Sequence, residues 1–159
     1  MLNYWINYTI IMMKKIILLL IGFFLIGCSF NKIYKNRELD KQEAQKVTEK
    51  FYSLINDRDL NKQEILNLFG NKFFQVTNNR QFTSILDKVT HDYGKIEHTD
   101  LSNWQTLVVE GTNAKSEYLL SYNVRREKMN TFERFTLLKE NGIIKIAGYS
   151  VDVDKRQKK

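Results

Sequence analysis

Ala114-Lys115-Ser116-Glu117-Tyr118-Leu119-Leu120-Ser121-Tyr122-Asn123-Val124-Arg125-Arg126 is the stretch that decides the fold. Tyr118, Leu120, Tyr122 and Val124 fall on every second position, the period of a strand with one face in a core. Gly111-Thr112-Asn113 before it and Lys128-Met129-Asn130 after it read as turns, so its neighbours run antiparallel. Those neighbours are residues 104–110 upstream and 131–139 downstream. The Asn141-Gly142 hairpin signal then leads into residues 143–153. Four strands follow from this pattern, and residues 95–100 are the candidate for a short additional one.

Upstream of residue 95 the period changes to that of a helix. Ala44, Val47, Phe51, Leu54 and Ile55 form one apolar stripe, with Asp40 and Glu43 placed as an N-cap and its capping-box partner, and the helix runs to Asn56. Asn61 and Glu64 repeat the start signal before Ile65, Leu68 and Phe69, and Gly70 is placed to end a short second helix. A third helix from Asn79 carries Phe82, Ile85, Leu86, Val89 and Tyr93 on one face and stops at Gly94. Helices first and strands second predict an α+β domain in which a twisted sheet turns its Tyr118 face onto the helices. The element order, with Phe51-Tyr52 and Ala147-Gly148-Tyr149, resembles the nuclear transport factor 2-like (cystatin-like) cone over residues 39–154. The resemblance implies a cone-shaped antiparallel sheet of four to five strands. Members of that superfamily include isomerases, dehydratases and binding modules, so it selects no single activity.

The N-terminal part carries a different message. Lys14 and Lys15, the apolar run of residues 16–26 and the small Gly27 have the three regions of an export signal. At about 1.5 Å per residue, Ile16 to Gly27 span roughly 18 Å against a hydrocarbon core of about 30 Å, too little to cross as a helix. Leu25-Ile26-Gly27-Cys28 resembles the lipobox of bacterial lipoproteins. The resemblance implies cleavage between Gly27 and Cys28 and lipid attachment at Cys28, with a diacylglycerol on the thiol and a further acyl chain such as palmitate on the amine. It also implies a cell-envelope location. Ser29 directs the protein to the outer membrane, facing the periplasm, where the host has two membranes. Residues 1–12 fit poorly before such a signal, and the expected start is Met12 or Met13. Residues 29–38 are polar and aperiodic and read as a tether of up to about 33 Å.

The net charge of +7 invites a nucleic-acid reading until its location is considered. Lys14 and Lys15, Lys32, Lys35 and Arg37, and the tail residues Lys155, Arg156, Lys158 and Lys159 carry nine positive charges, leaving residues 38–154 at −2. A domain without a basic stripe is not expected to bind nucleic acid. Cys28 is the only cysteine, so no internal disulfide forms, and the domain must be held by packing.

Signals for chemistry are few. Asp57-x-Asp59-x-Asn61 imitates the opening of a calcium loop but meets Lys62 where glycine is needed and Leu68 where a bidentate glutamate is needed, so it reads as a solvated turn. His91, His98 and the acylated Cys28 do not make a zinc site, and no metal or cofactor is expected. His91 falls opposite the apolar face of its helix, with Asp92 on the flank. Tyr52 sits at the edge of the first helix's stripe. Tyr52, Tyr118, Tyr122, His98 and Asp100 are the candidate pocket lining, with His98 and Asp100 the candidate acid-base pair. These features favour a non-catalytic binding or interaction module. The alternative is a small-molecule isomerase or hydrolyase with an acid/base in the cone. Either parity of the last two strands turns some of Phe132, Phe135, Leu137, Leu138, Ile143, Ile144 and Ile146 away from the helices, beside Leu119. The outer sheet face is therefore the expected meeting surface for a second copy or another envelope protein.

Overall fold

The inner face of the central strand meets the helices as its period requires. The computed structural model describes residues 31–57 and 62–153. The signal stretch, Cys28, Asp59, Asn61 and the basic tail lie outside the described residues. The elements are β1 (Lys32–Lys35), α1 (Glu38–Asn56), α2 (Lys62–Asn67), α3 (Asn71–Phe74), α4 (Asn79–Tyr93), β2 (Ile96–Glu110), β3 (Lys115–Arg126), β4 (Thr131–Glu140) and β5 (Ile143–Val153). The five strands form one antiparallel sheet in chain order, β1-β2-β3-β4-β5, with the helices packed on one face: an α+β fold.

Tyr118, Leu120, Tyr122 and Val124 of β3 are all buried, as are Phe135 and Leu137 of β4 and Ile146 of β5. Ala44, Phe51, Tyr52 and Ile55 of α1 cover them, and Phe82 and Leu86 of α4 complete the core with Ile65, Phe69 and Phe73. Aromatic rings fill the contact between layers edge to face. Phe51 lies 5.2 Å from Phe135 and 5.0 Å from Tyr149, within the range where the ring quadrupoles add to area burial.

Four expectations need correction. The stretch read as a tether contains β1, which pairs with β2 from Lys32 opposite Glu110 to Lys35 opposite Leu107. The segments at 95–100 and 104–110 are one strand, β2, bent by irregularities between Ile96 and His98 and between Leu101 and Asn103. The first helix begins at Glu38 with Arg37 as its N-cap. Asp40 lies inside the first turn, where its carboxylate accepts two hydrogen bonds from Arg37, at 2.7 and 2.9 Å. Ile85 of α4 is half exposed, because only Phe82 and Leu86 of that helix reach the core.

Amide side chains serve where the strand ladder ends. Asn56, at the end of α1, donates from Nδ2 to the Ile96 carbonyl (2.6 Å) and accepts at Oδ1 from the Ile96 N–H (3.0 Å). Asn36, at φ 52°, donates its backbone N–H to the Thr106 carbonyl and accepts the Thr106 N–H on Oδ1, both at 3.0 Å. α4 starts on a complete capping box between Asn78 and Gln81. It stops at Gly94, whose φ of 82° favours glycine.

Gly70 is where helices and sheet edge interlock. Its N–H donates to the Ile146 carbonyl and the Ile146 N–H donates to the Leu68 carbonyl, both at 2.9 Å, so this segment covers part of the outer edge of β5. An added Cβ at Gly70 would collide with the Glu140 carboxylate, which accepts the Asn71 N–H at 3.0 Å and the Lys72 N–H at 3.4 Å. Gly70→Ala is therefore expected to evict that carboxylate and lose its cap, roughly 0.5–1 kcal/mol. In a Glu140→Ala background the same change becomes neutral, because its φ of −93° suits alanine. Urea denaturation of the two single variants and the double tests this; additive losses would refute it.

Candidate functional site

The alternation that buries Phe135 and Leu137 also places Thr131 and Glu133 of β4 on the inner face, and the one that buries Val124 places Arg126 there. The Arg126 and Glu133 side chains are both 0% exposed. Glu133 Oε1 accepts from Arg126 Nε (3.0 Å) and Nη2 (2.7 Å) and from Thr131 Oγ1 (2.8 Å). Glu133 Oε2 accepts from the Tyr149 hydroxyl at 2.7 Å. Arg126 Nη1 donates to the Gly94 carbonyl at 3.2 Å. One ion pair thus joins β3, β4, β5 and the end of α4. Removing two charges from water costs several kcal/mol each, and the pair persists only because both ends are hydrogen-bonded throughout.

Three tyrosines surround it. Burial and the neighbouring Glu133 charge push the Tyr149 hydroxyl well above its ordinary pKa and push that of Tyr52 up in the same way. Tyr52 feels the Glu133 charge and a weaker hydrogen-bonding contribution from the same carboxylate, but its buried hydroxyl closes no well-formed hydrogen bond. Burial raises Tyr122 to about 12, against a lowering contribution from Thr48, whose hydroxyl lies 2.6 Å away. Tyr52 is thus in the core, 5.3 Å from the Tyr122 ring, and not at the edge of the helix stripe.

The candidate pocket residues separate into two groups. Tyr52, Tyr118 and Tyr122 line the interior, whereas His98 and Asp100 are exposed on β2, opposite Arg125 and Asn123, and do not converge on it. His91 is exposed as expected and lies 3.0 Å from Asp92. Arg126, Glu133 and Tyr149 were not foreseen as a group. Their signal is an acid and a base of opposite charge at inward parity on neighbouring strands.

Among the described residues, open clefts of about 440 to 570 Å³ lie around the helices, lined by residues other than Tyr52, Arg126, Glu133 and Tyr149. The cluster is a closed lock whose donors and acceptors are already engaged with one another. Among the described residues, no group of three or more His, Cys, Asp or Glu side chains is placed to hold a metal, and no helix is long and apolar enough to cross a membrane. No protein family, curated protein or solved structure is matched by this chain.

Glu133→Gln is expected to cost about 3–5 kcal/mol, because it strands the Arg126 charge in the core. Tyr149→Phe should cost about 1.5–3 kcal/mol, the worth of a hydrogen bond to a charged group. Tyr52→Phe should cost clearly less than Tyr149→Phe, since the lost hydroxyl makes no well-formed hydrogen bond. Denaturant unfolding measures all three, and a loss at Tyr52 equal to that at Tyr149 would refute the assignment.

Because the folded state holds its tyrosine protons more tightly than the unfolded chain, stability falls as pH rises. It is full below about pH 10, where unfolded tyrosines begin to ionise, and declines as pH climbs towards the Tyr122 value of about 12. Thermal unfolding between pH 8 and 11 should show this decline, and Tyr122→Phe should make it shallower without abolishing it, because Tyr52 and Tyr149 keep their raised values.

Proposed function

We propose that this chain is a lipid-anchored cell-envelope protein whose folded domain is a non-catalytic interaction module of the nuclear transport factor 2-like kind. The observation that carries the reading is the filled interior. Phe51, Tyr118, Leu120, Phe135 and Leu137 are each at most 2% exposed where a pocketed cone would be open, and the ionisable groups inside are spent on one another. The exposed His98 and Asp100 give no acid-base pair inside the cone. Attachment rests on Leu25-Ile26-Gly27-Cys28, with cleavage between Gly27 and Cys28 and residence in the outer membrane where there are two membranes.

The interaction surface is the outer face of the sheet, with a second copy as its partner. Burial of Phe135, Leu137 and Ile146 makes this face less apolar than the sequence alone implies, yet Leu119 stays 39% exposed, and the half-buried Phe132 and Leu138 share its parity across the β3–β4 register.

Cells fed a labelled fatty acid should incorporate it into the wild type and not into Cys28→Ala, which should leave the membrane fraction. A labelled, membrane-bound Cys28→Ala variant refutes the anchor. A soluble form beginning at Ser29, so that β1 is kept, should scatter light as a dimer at micromolar concentration. A strict monomer removes the second copy as partner.

A further inference from the structure

The distance between the anchor and the fold is set by where β1 begins. Only Ser29, Phe30 and Asn31 separate Cys28 from Lys32, the first residue of the sheet. Three Cα steps from Cys28 reach Asn31 and span at most roughly 11 Å even when fully extended. Asn31 is itself fixed to the far side of the β2–β3 turn, because its Oδ1 accepts the Asn113 N–H at 3.2 Å. β1 then follows the end of β2 through four register pairs, and Asn36 fastens its exit to Thr106. A chain pinned at both ends of a strand cannot swing as a polar tether would.

We infer that the end of the sheet formed by Lys32, Ile33 and the Gly111-Thr112-Asn113 turn rests on the surface of the bilayer that holds the Cys28 lipid. This rests on the lipid-anchor reading and deepens it by giving the domain an orientation. The occupant is the lipid head-group layer. The exposed surface at that end suits it: Ile33 is 61% exposed and the Lys32 and Lys115 side chains flank the turn. Residues 111–113 of the turn carry no carboxylate, while the exposed Glu110 opposite Lys32 and Glu117, 3.6 Å from Lys115, balance the two lysines. Charge therefore neither drives nor forbids the contact, and the short link to Cys28 carries it. The β3–β4 turn at Lys128 and Met129 is held at the opposite end of β3. That strand has 12 residues, which at about 3.3 Å each separate the two turns by roughly 40 Å.

The test uses the full-length acylated protein in vesicles of phosphatidylethanolamine and phosphatidylglycerol doped with a lipid carrying a nitroxide on its head group. Because Cys28 is the only native cysteine and its sulfur is capped by the diacylglyceryl group in the lipidated protein, Thr112→Cys and Met129→Cys each present one free thiol for a fluorophore. The label at 112 is expected to be quenched several-fold more strongly than the label at 129. A flexible ten-residue Gly/Ser insertion between Phe30 and Asn31 should abolish the difference while leaving the protein acylated and membrane-bound. Equal quenching at both positions in acylated protein overturns the orientation and leaves the anchor standing. Protein that takes up no labelled fatty acid overturns the anchor, and the orientation falls with it.

Discussion

The Glu133 carboxylate is the junction through which the rest of the fold is registered. It sits on β4, receives Arg126 from β3 and Tyr149 from β5, and the same arginine reaches the carbonyl of Gly94 where α4 ends. Apolar residues of equal volume fill such a space at least as stably, because neither charge then has to leave water. The pair's contribution is to exclusion. A one-residue slip of β4 would turn Glu133 to the outer face and leave Arg126 charged and alone in the core, an arrangement that costs several kcal/mol. Register and the seat of α4 are therefore chosen together.

The turn that carries α4 into β2 shows how tightly the two are coupled. Glu127 and Lys128, which follow β3, donate their backbone N–H groups to the carbonyls of Lys95 (3.0 Å) and Tyr93 (3.1 Å). Glu127 accepts the Lys95 N–H at 3.0 Å, and Lys128 Nζ donates to the His91 carbonyl at 2.5 Å. The last carbonyls of the helix, which have no partners inside it, are satisfied by the hairpin that the ion pair organises. Asn56 and Asn36 perform the same service for β2, each matching one backbone N–H and one carbonyl as a strand neighbour would.

What was legible in the sequence follows from how local each signal is. Tyr118, Leu120, Tyr122 and Val124 announce their face because an unbroken strand keeps its parity. β2 does not: its irregularities shift the parity twice, so one bent strand reads as two pieces with an unreadable gap between them. β1 was illegible for another reason. Four residues with only Tyr34 partly buried make no pattern, and its partner lies more than seventy residues away. At the start of α1, Asp40 and Glu43 have capping-box spacing, but Arg37 captures the aspartate and the helix begins three residues earlier than that cap would place it. The site was hidden because Arg126 and Glu133 look like ordinary strand-surface charges until the parity of both strands is fixed against the same core.

The same geometry limits where a partner can be met. Inside the cone, Phe51 touches the rings of Tyr52, Phe69, Phe135 and Tyr149, so entry of a ligand would require several rings to move together in a close-packed interior. The edges of the sheet are also guarded. The Leu68–Gly70 backbone pairs with Ile146 on the β5 side. On the other side β1 is only four residues long, with a lysine at each end, the kind of edge that discourages further strand addition. Among the described residues, the interior and both sheet edges are thus closed, and the two faces of the sheet remain. One face is covered by α1 and α4, and the other presents Leu119 among polar neighbours. What the described residues leave accessible is therefore surface rather than an enclosed interior.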